Sequence, residues 1–357
     1  MNRIKNIAVT GYFGTGSSAV LDLLKEYSVI SRVPLERKTY EHVLFYISGG
    51  LFDLCSIITR GNVHLRADSA INQFIETMNK LNDYDFSWFG SYKKLFGDDF
   101  LKIVQTFVDT ISEKQDGKNV NHCIKSRLAP YSTLRSSIAK YVFGKERTLP
   151  IYANIYDNKP VYFSLPTEDE FYSAAKSFTS SYMGLFPVKK DTSIRVFDHL
   201  IWPQQIDSFS QCFNDDILFI VVERDPRDLF LLCKYLYTRN GEKPFFPTDP
   251  VKFVDLWKRL FVRDYSNHNV IRVQFEDLIY NYEETVAQLE SKLGLNEKMH
   301  FDKFKHLTPK QSIENTQVFR VKPEWENEVS YIKESFPELL YSFPYERKPD
   351  FSLMFDK

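Results

Sequence analysis

The sequence predicts an α/β protein built on a doubly wound parallel sheet, and three stretches predict it. Ile7-Ala8-Val9, Ile217-Leu218-Phe219-Ile220-Val221-Val222 and Val270-Ile271-Arg272-Val273-Gln274-Phe275 are short, mostly apolar runs. The middle one is unbroken, as a central parallel strand covered on both faces requires. The first runs into a Gly-rich turn, Gly11-Tyr12-Phe13-Gly14-Thr15-Gly16-Ser17-Ser18. Beyond that turn Val20, Leu23, Leu24 and Tyr27 fall at the i, i+3, i+4, i+7 spacing of a helix face.

In chain order, the turn is followed by a helix over Ser17–Tyr27 that packs on the sheet. A strand over Val29–Val33 comes next, stopped by Pro34. From about residue 68 to 190 the text becomes mostly helical. Ala70–Leu81, Asp99–Ile111 and Ser132–Val142 carry helical periodicity, and the aromatic, β-branched Ile151–Leu165 suits a strand or hairpin. The sheet resumes at Ser193–Phe197 and continues through the two later apolar runs. Helices are expected over Val251–His268 and over Tyr282–Leu293, with Asn281 as N-cap and Gly294 as stop, and over Pro323–Phe336. No stretch resembles a flexible linker. The expected organisation is one domain over residues 1–357 with residues 68–190 as a helical insertion.

Composition narrows the function classes. The chain has 357 residues, 43% hydrophobic content and a formal net charge of -1. A nucleic-acid coat or membrane-surface binder would show a basic excess, so neither is expected. Cys55, Cys123, Cys212 and Cys233 are scattered without a CxxC pair, which argues against a zinc site or disulfide framework. No apolar stretch approaches the roughly 20 residues that cross a bilayer. Met1-Asn2-Arg3 runs straight into the first strand without a signal peptide. The expectation is a cytoplasmic protein without an integral membrane segment. The 31 Phe and 21 Tyr fit either a large aromatic core or a carbohydrate-stacking surface.

Two segments carry chemistry. Gly11-x4-Gly16-Ser17-Ser18 has P-loop spacing, G-x-x-x-x-G-K-[ST], with Ser17 where the lysine belongs. That lysine neutralises the outer phosphates of a nucleoside triphosphate. Without it the loop suits an anion of lower charge, held by backbone N–H groups, a helix end and the Thr15, Ser17 and Ser18 hydroxyls. The second segment is Glu223-Arg224-Asp225-Pro226-Arg227-Asp228, at the end of the central strand. Pro226 suits a first helical turn, and Asp225, Arg227 and Asp228 suit capping and pairing around it. Arg224 is then placed to hold a second anion in the crevice where α/β sheets bind ligands. Two anion grips on one sheet suggest a nucleotide phosphorylated at both ends.

With these segments in hand, the chain resembles the PAPS-dependent sulfotransferases. Gly14-Thr15-Gly16-Ser17-Ser18 is similar to the loop that holds the donor's 5′-phosphosulfate. Val222-Glu223-Arg224-Asp225-Pro226-Arg227-Asp228 is similar to the strand-turn-helix whose first arginine holds the 3′-phosphate. Val273-Gln274-Phe275-Glu276-Asp277-Leu278 with Tyr282-Glu283-Glu284-Thr285 resembles the segment after that site. Ser312–Asn315 lies where the family's C-terminal loop closes over the nucleotide. The resemblance implies PAPS (3′-phosphoadenosine 5′-phosphosulfate) as donor, bound by Gly14, Thr15, Gly16, Ser17, Ser18, Arg224, Cys233 and Ser312. It implies no metal.

The match departs from the family in two places. Gly14 occupies the place of a loop lysine that assists the leaving group. Leu232, with Cys233 beside it, replaces the serine eight residues after the 3′-phosphate arginine. Lys125 or Arg195 is left to supply the missing charge. His199, in Phe197-Asp198-His199-Leu200, precedes the 3′-phosphate strand by about the family's interval for a catalytic histidine. An imidazole titrating near neutrality suits the proton of an attacking hydroxyl, with Asp198 orienting the ring or acting as base itself. The expected function is sulfuryl transfer from PAPS to a hydroxyl acceptor, a carbohydrate by preference. The alternatives are a P-loop kinase or NTPase, and a non-catalytic nucleotide-binding protein of the sulfotransferase type.

Overall fold

The computed structural model describes residues 4–35, 40–61, 63–115, 137–138, 141–142, 160–190, 192–238, 241, 243–244 and 246–354. The chain divides into two compact units. One comprises Met1–His42, Phe186–Ser210 and Asn214–Lys357, and the other Val43–Leu185 with Gln211–Phe213. The second unit thus begins ahead of the change in text near residue 68.

The first unit holds the sheet. Its strands are β1 (Asn6–Gly11), β2 (Ile30–Arg32), β3 (Ile194–Asp198), β4 (Ile217–Glu223) and β5 (Val270–Gln274). They are all parallel, in the order β2-β3-β1-β4-β5. Among the described residues, its helices of six or more residues are α1 (Ser17–Leu24), α2 (Pro226–Leu231), α3 (Pro250–Leu260), α4 (Tyr282–Leu293), α5 (Pro323–Glu328) and α6 (Ser330–Ser335). The α/β parallel sheet expected from the apolar runs is therefore present.

Register decides what meets at the carboxyl edge of the sheet. Val9 lies opposite Asp198, Gly11 opposite Val222, and Glu223 opposite Gln274. The residues following β3, β1, β4 and β5 consequently leave the sheet side by side. Beneath that edge, α1 lays Val20, Leu23 and Leu24 on Ile7, Val9, Ile220 and Val222, and α4 adds Val286, Leu289 and Leu293. With 8 residues and no side-chain N-cap bond, α1 is too short to persist alone. Burial of those apolar side chains, about 1.5–3 kcal/mol each, is what keeps it folded.

Two helices differ from expectation. The helix expected over Val251–His268 stops at Leu260, because Phe261 turns extended and stacks on Tyr12 at 5.7 Å. The Val262 amide then donates to the Tyr12 hydroxyl at 2.8 Å. Tertiary partners outweigh a periodicity that would have carried the helix on. The helix expected over Pro323–Phe336 breaks into α5 and α6 at Val329 (φ -88°, ψ 2°), next to Glu328, which Lys234 and Tyr235 both engage.

The second unit carries the helices Leu51–Thr59, His64–Asp83, Tyr92–Phe96, Asp99–Ile111 and Glu168–Leu185. An antiparallel pair, Glu113–Gln115 with Val161–Phe163, accompanies them. Much of the aromatic surplus goes into its interior. Phe74, Phe107 and Phe178 pack mutually, as do Tyr92, Phe100 and Tyr182. Lys125, Cys123, most of Ser132–Val142 and the first part of Ile151–Leu165 lie outside the described residues.

Candidate active site

The Gly-rich turn is built around one backbone oxygen. Tyr12 O accepts both the Thr15 amide at 3.0 Å and the Thr15 hydroxyl at 2.7 Å. Thr15 is fully buried, so its hydroxyl braces the turn and does not face a ligand. This corrects the expectation that Thr15 offers an anion its hydroxyl. Gly14 (φ 83°) and Gly16 (φ 98°) take the left-handed conformation that only glycine adopts cheaply. A Cβ on Gly16 would also stand 2.6 Å from the Phe275 ring. The amides of Gly14, Gly16, Ser17 and Ser18 have no partner among the described residues. The hydroxyls of half-buried Ser17 and exposed Ser18 accompany them at the start of α1. Free amides at a helix start make an anion cradle that needs no side-chain charge.

Arg224, just past β4, is 4% exposed. Its Nη1 donates to Gly14 O at 3.3 Å, its Nη2 donates to Asn315 O, and its guanidinium lies 4.6 Å from the Phe275 ring centroid. Its Nε is buried without a partner among the described residues. No carboxylate forms an ion pair with Arg224 among the described residues. The guanidinium instead lies in the field of buried carboxylates. Asp225 caps α2 through the Arg227 amide and holds the Arg227 guanidinium with both oxygens at 2.7 and 3.0 Å, as its place in the turn predicts. Glu276 is fully buried and accepts from the Asp225 amide at 2.9 Å and from Gln274 at 2.7 Å. Asp228, also fully buried, accepts a long bond from the Phe319 amide at 3.4 Å, and its Oδ2 has no partner among the described residues.

Burial pushes the Glu276 carboxyl up to about 7, against the pull of Arg224. Burial likewise pushes Asp228 up, reinforced by Asp225. A carboxyl raised in the folded state adds stability below its ordinary range near 4.3 and loses it as pH rises through the folded value. The fold should therefore lose stability between about pH 4 and pH 7 on account of Glu276. In Glu276→Gln that part of the slope should vanish, which unfolding midpoints at pH 5 and pH 8 would reveal. An unchanged slope would show that Glu276 stays ionised throughout.

On the other side of β1, Asp198 ends β3 and His199 follows it. Successive strand side chains point to opposite faces. His199 leaves that pattern with φ 48°, and its Nδ1 lies 2.6 Å from Asp198 Oδ1. Burial lowers the ring's pKa, but the Asp198 charge and hydrogen bond, with Glu41 behind them, outweigh it and leave His199 above its usual value. The contact to Asp198 sets Nδ1 as the proton-bearing nitrogen, so Nε2 carries the lone pair.

The remaining expected residues stand as follows. Ser312 ends the short helix Pro309–Ser312, half-exposed, in the strap that Asn315 fastens to Arg224. Cys233 is 2% exposed, and burial pushes its thiol up to about 12, so it is a neutral group within the field of Arg224. Arg195 pairs in register with Asn6 at the amino end of the sheet, away from the edge where the loop, Arg224 and His199 emerge. It therefore cannot supply charge there. Arg32 stands beside these residues without having been singled out, while Phe275, Glu276 and Asn315 lie in segments the resemblance named but were given no role of their own. Only the sheet order and the fold of the strap bring them in.

No family model and no curated protein matches the chain. Among solved structures, the sulfotransferase STF9 from Mycobacterium avium matches at 11% identity and a TM-score of 0.38, covering 98% of this chain and 79% of that one. The sulfotransferase domain from the curacin biosynthetic pathway matches at 10% and 0.36, over 96% of this chain and 100% of that one. Sulfotransferase STF1 from Mycobacterium tuberculosis H37Rv matches at 13% and 0.34, over 88% and 77%. The chain is similar to bacterial sulfotransferases. At these identities and scores the likeness says nothing of donor or acceptor. Among the described residues no group of three or more His, Cys, Asp or Glu could hold a metal, and no helix is long and apolar enough to cross a membrane.

Proposed function

We propose that this protein transfers a sulfuryl group from PAPS to a hydroxyl, with a saccharide as the acceptor class and the cytoplasm as its setting. The observation that carries the reading is the pair of anion grips flanking β1. Four amides without a partner among the described residues lie at the turn into α1, and a buried arginine just past the neighbouring strand has donors to spare. An arginine has five N–H donors, and two of these go to the carbonyls of Gly14 and Asn315. The buried Nε, without a partner among the described residues, fits an oxyanion.

The chemistry asks little else of the chain. An acceptor oxygen attacks sulfur as the bond from sulfur to the bridging phosphate oxygen breaks. The acceptor proton passes to His199 Nε2, and adenosine 3′,5′-bisphosphate leaves. The partial positive charge of the α1 amides stabilises the charge that grows on the leaving phosphate. Lys125 stays in this proposal as a further source of that charge, and Ser17, Ser18 and Ser312 as donor contacts.

A thermal-shift panel tests the reading. A ligand that binds only the native state stabilises it by about 2.7 kcal/mol at 100 times its dissociation constant. Adenosine 3′,5′-bisphosphate should raise the melting temperature, while ATP with magnesium should do little. Stabilisation by ATP alone would replace sulfuryl transfer with kinase chemistry.

A further inference from the structure

Asp198 divides its two oxygens between two residues. Oδ1 faces His199 Nδ1 at 2.6 Å, and Oδ2 faces Arg32 Nη2 at 3.5 Å. Arg32 is the last residue of β2, the strand beside β3, and the side chains of all three residues are 12–13% exposed. Arg32, Asp198 and His199 therefore form a line across the carboxyl ends of two adjacent strands. Among the described residues, the other ionisable groups acting on this line are Glu41, whose charge acts on His199, and the fully buried His42. His42 is pushed down to about 3 by burial, then by Arg32 and His199, so it stays neutral.

A carboxylate 2.6 Å from an imidazole orients the ring but also favours its protonated form, which has no lone pair to offer. A second cation on the same carboxylate draws off part of that stabilisation. It also fixes the carboxylate plane, so that the ring keeps Nε2 as its free nitrogen. We propose that Arg32 is a positioning residue: by holding the outer oxygen of Asp198 it keeps the His199 ring oriented and limits how strongly that carboxylate favours the protonated ring. The inference rests on the reading of His199 as the base, but its effect on the ring is measurable without turnover.

The test is the titration of His199 followed by NMR of the ring, with the signal assigned by its loss in His199→Asn. In Arg32→Gln the ring pKa should rise by about one unit, the low end for a charge at this range. In Arg32→Lys, which keeps the cation, it should return most of the way. In an Asp198→Asn background the shift caused by Arg32→Gln should shrink to a fraction of that, because the effect travels through the carboxylate. No rise in Arg32→Gln, or an equal rise with Asp198 already removed, overturns the proposal. Where turnover is measurable, the acidic limb of the pH–rate profile should move with the ring. A ring that shifts while the limb stays put leaves Arg32 in its role and removes His199 as the base.

Discussion

Replacing His199 by alanine should lower turnover by about 10²–10⁴-fold, with donor binding and folding nearly intact, because loss of a general base acts on the transition state. The residue stands in the left-handed region at φ 48°, where alanine is uncomfortable. A companion variant, His199→Asn, separates lost chemistry from lost backbone geometry, since asparagine tolerates that conformation. Both variants should lose turnover alike. Asp198→Asn divides two cases: a modest loss means the carboxylate orients the ring, and a loss as large as that of His199→Ala means the pair works as a unit. Normal turnover in folded His199→Asn would dismiss this base, and Asp198 would be tested next.

The second large effect belongs to Arg224. If its free donors hold the 3′-phosphate, Arg224→Ala should weaken adenosine 3′,5′-bisphosphate by about 1.5–3 kcal/mol, the range for hydrogen bonds to charged groups. AMP, which lacks that phosphate, should bind almost as before. The variant should also unfold more easily. It strips the carbonyls of Gly14 and Asn315 of a donor and leaves Asp228 and Glu276 without the cation that favours their ionised forms. Isothermal titration with both nucleotides separates these effects. Equal losses for the two would make Arg224 a purely structural tie.

The strands were legible because a parallel strand covered on both faces must be almost wholly apolar, and few other segments of this chain are. The turn between β1 and α1 was legible for a related reason: a run of glycines and serines between an apolar strand and an amphipathic run marks where the chain must change direction. What could not be read was pairing across long separations. Arg32 and Asp198 are 166 residues apart, and only the strand order β2-β3-β1 makes them neighbours. Thr15 misled because a hydroxyl beside an anion loop in sequence can turn either way, and here the Tyr12 carbonyl claims it. The helix expected to reach His268 overran because periodicity does not show where Phe261 and Val262 find better partners in Tyr12.

Arg224 joins points 210 and 91 residues away, one near the first strand and one in the strap after the last. The proposed anion site therefore belongs to a nearly finished chain. During synthesis the Gly-rich turn leaves the ribosome early, but β4 must slot in beside β1 before Arg224 can reach it. Asn315 must follow before the arginine is held from both sides. Until then the turn is a loop with exposed amides and no partner cation. A nascent chain halted short of residue 309 would carry every strand of the sheet and still lack the clasp.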